Sequence, residues 1–216
     1  MLKEDYTILK NLEVSFEERK STFKCNIKRI SNEKEAMEFV TEIKGKYKDA
    51  THNVFAYVTN NKISMRYSDD GEPQGTAGPP VLEVLKREDI NDVVVVITRY
   101  FGGILLGAGG LIRAYGASCK QGIDAGVKVK RLEGKRFNIT CDYDKYGKVN
   151  NYLQGLNVKI IQVTFLENVI IDAISITRDF ESIRDDIIQM MCGDNIISDE
   201  NIVQCFVDEN QKIMEV

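Results

Sequence analysis

Residues 93–116 read VVVVITRYFGGILLGAGGLIRAYG, and the order of residue types in that run sets the architecture of the first half of the chain. Four valines followed by Ile97 predict a strand buried on both faces, because a strand with one solvated face alternates apolar and polar positions. The strand runs into Arg99 and the glycine pair Gly102 and Gly103. Gly107, Gly109 and Gly110 then open a helical stretch, Leu111 to Ala125, whose first backbone amides have no intrahelical partner and form a natural anion site. Upstream, residues 68–80 read SDDGEPQGTAGPP, denser in glycine, proline and acid than a core segment.

Working outward, residues 7–14 and 21–30 alternate loosely and predict two strands separated by the charged turn Glu17-Glu18-Arg19-Lys20. Asn32 with Glu35 forms a capping box. Ala36, Phe39, Val40 and Ile43 follow at helical spacing, and Gly45 is expected to stop the pattern. Strands are expected at 54–59 and 63–67, joined by Asn60-Asn61, since asparagine tolerates positive φ in a tight turn. Pro79 and Pro80 open a short helix to Lys86. The second half predicts strand 136–141, helix 143–154, strands 158–165 and 169–176, helix 179–191 and a strand near 201–207. Helix starts near Asp142 and Asp179, with Gly155 and Gly193 after the two helices, support those bounds. This is βαββαβ, the ferredoxin-like order, and the chain as a whole reads as α+β in two units.

The 216 residues suffice for two domains, expected at 1–133 and 134–216 with the join between Lys130 and Gly134. Charge divides at the same place: 21 basic and 19 acidic side chains precede the join, and 8 and 14 follow it. Nucleic-acid contact therefore has to be a local patch on the first half. The opening MLKEDYTILK has no apolar signal core, and no apolar run approaches the roughly 20 residues that cross a bilayer, so a cytoplasmic protein without a membrane partner is expected. Cys25, Cys119, Cys141, Cys192 and Cys205 are widely spaced with no Cys-x-x-Cys, which argues against a disulfide framework and against structural zinc. No cofactor, metal site or catalytic residue is expected.

The runs Asp69 to Gly78, Thr98 to Gly103 and Gly107 to Tyr115, with Ala50 to Tyr57 and the entry Lys20-Ser21-Thr22-Phe23, closely resemble the signature of the IMPACT family in its bacterial, YigZ-type branch. The resemblance covers roughly the first 130 residues strongly and the remainder in pattern. It implies an N-terminal domain like domain IV of elongation factor G (ribosomal-protein domain-2-like) and a C-terminal domain like another elongation-factor domain. It also implies a link to translation, since eukaryotic relatives are associated with translational control during amino-acid starvation.

Within the signature, Asp69, Asp70 and Glu72 either ligate a divalent cation, pair with Arg66 and Arg99, or form a solvated acidic turn. Gln74 and Thr76 add neutral donors suited to a polar ligand. Arg99 with Tyr100 and Phe101 offers a guanidinium and two aromatic faces able to stack a base and grip phosphate, unless the rings close a core. Gly102 and Gly103 permit close approach of a partner. Gly109 and Gly110, with Arg113 one turn inside, either hold phosphate or let the helix approach the sheet, as Ala114, Gly116, Ala117 and Gly122 also would. They match neither nucleotide-binding glycine fingerprint. His52, the sole histidine, is either a base or a residue hydrogen-bonded at a strand entry, and Cys119 reads as a core thiol. The expected function is a non-enzymatic, translation-linked regulator or RNA-binding protein using the Ser68–Arg113 surface, with RNA or the ribosome as partner. Two alternatives stand: a hydrolase or phosphotransferase with its metal or phosphate site at Asp69/Asp70 and Gly109/Gly110, and a protein-binding adaptor presenting the acidic second half.

Overall fold

The computed structural model describes residues 5–59, 62–156, 158–176, 180–192 and 197–215. The chain folds as two compact α+β units that divide between Val129 and Lys130.

The first unit is a five-stranded antiparallel sheet in the spatial order β2 (Leu12–Glu18), β3 (Ser21–Arg29), β6 (Val93–Tyr100), β4 (His52–Thr59), β5 (Ser64–Ser68), and the preceding strand β1 (Asp5–Ile8) is not one of its members. The valine run is the middle strand, and it is buried on both faces as its lack of alternation requires. Val93, Val95 and Ile97 pack under α2 (Gly78–Arg87) and α3 (Gly107–Gly126). Val94 and Val96 pack with Phe39, Val40 and Ile43 of α1 (Glu33–Lys46) on the opposite face. The α3 helix lies so close to β3 that a Cβ at Gly122 would stand 2.5 Å from Cys25 Sγ, so part of the small-residue pattern serves packing.

Three local expectations are corrected. The stretch 7–14 is not one strand: β1 ends at Ile8, β2 starts at Leu12 and runs through Glu18, and Arg19 and Lys20 alone make the turn, both with positive φ (46° and 63°). Gly45 does not end α1, which continues to Lys46 because the following Tyr47 is buried and bonds back to Ile43 O. The long helix begins at Gly107, so the glycine cluster forms its first turn. Asn32 does cap α1, accepting from Glu35 N at 3.0 Å, while the Glu35 carboxylate returns to Ser31 N at 2.7 Å. The Asn60-Asn61 turn lies outside the described residues.

The second unit carries the strand order β11 (Ile213–Glu215), β10 (Ile197–Val207), β7 (Lys128–Cys141), β9 (Val169–Ser175), β8 (Val158–Phe165), all antiparallel. The helices α4 (Tyr143–Gln154) and α5 (Phe180–Met190) bury Val149, Leu153, Ile183 and Ile187 against Phe137, Ile139, Ile171 and Ala173. The strand expected from residue 136 extends back to Lys128, that near 201–207 begins at Ile197, and β11 was not anticipated. The expected α5 start at Asp179 and stop at Gly193 lie outside the described residues.

Candidate functional site

Antiparallel pairing fixes where the signature residues meet. Because β4 runs against both β5 and β6, the ends of β5 and β6 share one edge of the sheet with the start of β4. The start of β3 joins them, since Thr22 pairs with Tyr100. Ser21, His52, Ser68 and Arg99 therefore lie along one rim, and the loop after Ser68 folds over it.

Asp69 is spent on that loop. Its carboxylate accepts the backbone N–H of Gly75, Ala77 and Gly78 at 2.9, 3.1 and 2.8 Å. The residue at the head of α2, Ala77, has no side-chain oxygen and the next two positions after Gly78 are prolines, so Asp69 caps the helix from eight residues upstream. Asp70, with φ of 45°, turns the other way: Oδ2 accepts Asn53 N–H at 2.6 Å and Oδ1 accepts Lys44 Nζ at 2.5 Å. The Asp70 carbonyl lies 2.8 Å from His52 Nδ1, and since a carbonyl can only accept, that ring nitrogen carries the proton. Thr76 donates its hydroxyl to Pro73 O at 2.7 Å, and Gln74 is exposed.

Glu72 points inward and is buried. Its Oε1 accepts Arg99 Nη1 and the Tyr115 hydroxyl, both at 2.7 Å, while Oε2 stands 3.9 Å from His52 Nε2. Arg99 in turn donates Nη2 to Ser21 Oγ at 3.3 Å, and its guanidinium lies 5.5 Å from the ring centres of both Phe23 and Phe101. Burial, and then the Glu72 carboxylate, hold the Tyr115 hydroxyl far above the usual phenol range, so it remains a donor at any working pH. Tyr115 joins the loop to α3, and sequence reasoning left it out of the site; a tyrosine on the apolar face of a helix is the signal, because its hydroxyl needs a buried partner.

The network separates residues that the sequence places side by side. Tyr100 points to the other face of the sheet, where its hydroxyl donates to Asp49 at 3.1 Å, so it does not join Arg99 and Phe101 in one aromatic grip. Asp69, Asp70 and Glu72 diverge, and no group of three or more His, Cys, Asp or Glu side chains among the described residues is placed to hold a metal ion. Gly102 is clamped: its N–H donates to Ser21 Oγ at 3.3 Å, and a Cβ there would stand 1.9 Å from Lys20 O. Cys25 and Cys119 are buried, and burial pushes the Cys25 thiol up to about 12, with Cys119 also well above its ordinary value. Neither is a thiolate nucleophile near neutral pH.

What faces outward is different in kind. Phe101 is 46% exposed and Leu105 81%, with Ile104, Ile112 and Arg113 also exposed. Gly103 and Gly107 leave open backbone, Arg113 Nη1 lies 3.8 Å from where a Cβ at Gly109 would stand, and α3 has no side-chain cap on its first amides. The signature thus builds a two-layer element: a polar bolt whose carboxylate, guanidinium and phenol pair with one another, with Arg99 Nε alone left buried and unpartnered, beneath an apolar rim that carries Arg113.

A two-unit α+β protein with this bolt can be compared with known families. The Impact N-terminal domain family matches residues 19–123, and a domain of unknown function, DUF1949, matches residues 139–193. The chain is 43% identical over 170 residues to the IMPACT family member YvyE of Bacillus subtilis, covering 78% of each chain. It is 32% identical over 146 residues to the IMPACT family member YigZ of Escherichia coli, covering 66% of this chain and 72% of the relative. The chain belongs to the IMPACT family. The crystal structure of a hypothetical protein shares the fold with a TM-score of 0.58 at 24% identity, covering 97% of this chain and all of the other. No helix among the described residues is long and apolar enough to cross a membrane.

Proposed function

We propose that this protein is a non-enzymatic, translation-linked RNA-binding member of its family, and that the rim running from Phe101 to Arg113 above the Asp69–Gly78 loop is the contact surface. One observation carries the reading: the polar side chains of the signature are committed to one another, whereas Phe101, Ile104, Leu105, Ile112 and Arg113 of the rim stand exposed, Phe101 also lying against the Arg99 guanidinium. Glu72 is matched to Arg99 and Tyr115, and Asp69 to three backbone amides. An exposed aromatic ring, an exposed guanidinium and uncapped helix amides are the groups that stack bases and receive phosphates. The reading carries with it an N-terminal unit like domain IV of elongation factor G and a ferredoxin-like C-terminal unit; the strand order β10-β7-β9-β8 with two helices on one face supports the latter. A hydrolase or phosphotransferase built on Asp69 and Asp70 would need carboxylates free to take metal or substrate, and both are already engaged.

Filter binding of single-stranded and structured RNA at two salt concentrations tests the proposal. Saturable binding in the low micromolar range that weakens with salt is expected, with Arg113→Ala reducing the salt slope by about one phosphate contact. Absence of saturable binding, or affinity indifferent to salt, would overturn it.

A further inference from the structure

The second unit has an exposed feature of its own. Tyr143 opens α4 and is 56% exposed, while Phe165 and Leu166, at the tip of the β8–β9 hairpin, are 55% and 63% exposed. These are not scattered apolar residues. The Phe165 ring lies 6.1 Å from that of Tyr143 and 5.5 Å edge-on from that of Tyr146, and the Tyr143 hydroxyl donates to Leu166 O at 2.7 Å, tying the hairpin tip to the helix. The result is a pre-assembled aromatic face, and contiguous apolar surface of this kind marks an interaction site.

Two further observations say what fits on it. Gly147 follows Tyr143 by one turn on the same side of α4, and nothing lies within 4 Å of where its Cβ would stand. A glycine inside a helix costs about 0.5–1 kcal/mol relative to alanine, and no contact within the chain requires it here. It leaves a bare strip of helix backbone beside the rings for a second chain to approach. The charge at the edge is acidic: Asp142, Asp144 and Glu167 are all exposed. Of the lysines on this helix, Lys145 is drawn to within 4.0 Å of Asp142 and Lys148 follows Asp144 by four residues on the same side, which leaves Glu167 at the hairpin tip as the acid without a helix lysine beside it. Residues 134–216 together carry 8 basic and 14 acidic side chains, which repels a phosphate backbone and attracts cations.

We propose that the Tyr143–Tyr146–Phe165 face of the second unit is a docking surface for a basic peptide segment of a protein partner. Arginine or lysine side chains lie over the exposed rings and meet Glu167 at the edge, and the peptide backbone passes over Gly147. The surface complements the RNA-binding rim without depending on it.

Fluorescence anisotropy on the full chain tests this with a labelled arginine–leucine repeat peptide, a glutamate–leucine repeat of equal length, and poly(U). The basic peptide is expected to bind saturably and the acidic one not at all. Phe165→Ala, which leaves the charge unchanged, and Glu167→Lys, which leaves the rings unchanged, should each weaken the basic peptide roughly fivefold. Failure of the wild-type chain to bind the basic peptide would overturn the proposal. So would equal binding by wild type and both variants, which is diffuse charge attraction, or loss of poly(U) binding in Phe165→Ala, which would make the face a nucleic-acid surface.

Discussion

Glu72, Arg99 and Tyr115 in the first unit and Tyr143, Tyr146 and Phe165 in the second are each a cluster held by specific contacts, but one is turned into its own core and the other out of its own unit. The first is buried and pairs its carboxylate with the guanidinium and the phenol, leaving only Arg99 Nε without a partner; the second is exposed and leaves its rings to solvent. The difference shows that a motif rich in charge and glycine can be a device for shape. Burying a carboxylate and a guanidinium is tolerable only when each finds its partner, and the partnered pair then fixes loop, strand end and helix in one arrangement. The Tyr-Asp-Lys-Tyr-Gly run of α4 has no such density, yet it presents the freer chemistry.

The comparison is tested most severely at the glycines. A Cβ at Gly102 would meet Lys20 O at 1.9 Å and Lys20 C at 2.1 Å, backbone atoms that cannot step aside without breaking the β2–β3 turn. Gly102→Ala is expected to destabilise the first unit by more than about 3 kcal/mol, read by calorimetry as a lowered transition for that unit. Unaltered melting would mean that the rim tolerates rearrangement and that the bolt does not shape it.

Next in size is the ion pair. Glu72→Gln leaves the Arg99 guanidinium buried without its countercharge and is expected to cost about 3 kcal/mol in denaturant unfolding. Replacing both partners, Glu72→Leu with Arg99→Met, should return a large part of that loss, because no orphaned charge remains. A single variant as stable as the wild type would move Glu72 from the structural bolt to a ligand-facing role. Asp69→Ala follows at about 1–2 kcal/mol, the range of a lost helix cap, since Gly75, Ala77 and Gly78 amides lose their acceptor.

The elements most legible in the sequence are those whose signals are local. Four valines can only be buried on both faces, and Asp142 and Gly155 bracket α4 at its observed ends. The Arg19-Lys20 turn is less legible, because two residues at positive φ are commonly asparagine and glycine, and long cations conceal the geometry. The site was legible as a region and obscure as a mechanism. Glu72 finds Arg99 27 residues away and Tyr115 43 residues away, and such pairings depend on sheet register rather than on any spacing in the motif. The split of Tyr100 from Arg99 does follow from strand alternation, once β6 is seen to continue through Tyr100. The α4 face is not legible in the sequence, because exposed tyrosines on a short helix look like ordinary amphipathic residues until the hairpin tip is set against them.

Gly147→Ala supplies the smallest effect and the sharpest contrast with Gly102. With open space around its Cβ and ordinary helical backbone, the alanine variant should gain about 0.5–1 kcal/mol in the unfolding of the second unit. The same methyl group should weaken the basic peptide by occupying the strip its backbone crosses, so stability and binding move in opposite directions. A variant that gained stability and kept full affinity would show that the peptide never approaches α4 at Gly147, confining any contact to the rings of Tyr143 and Phe165.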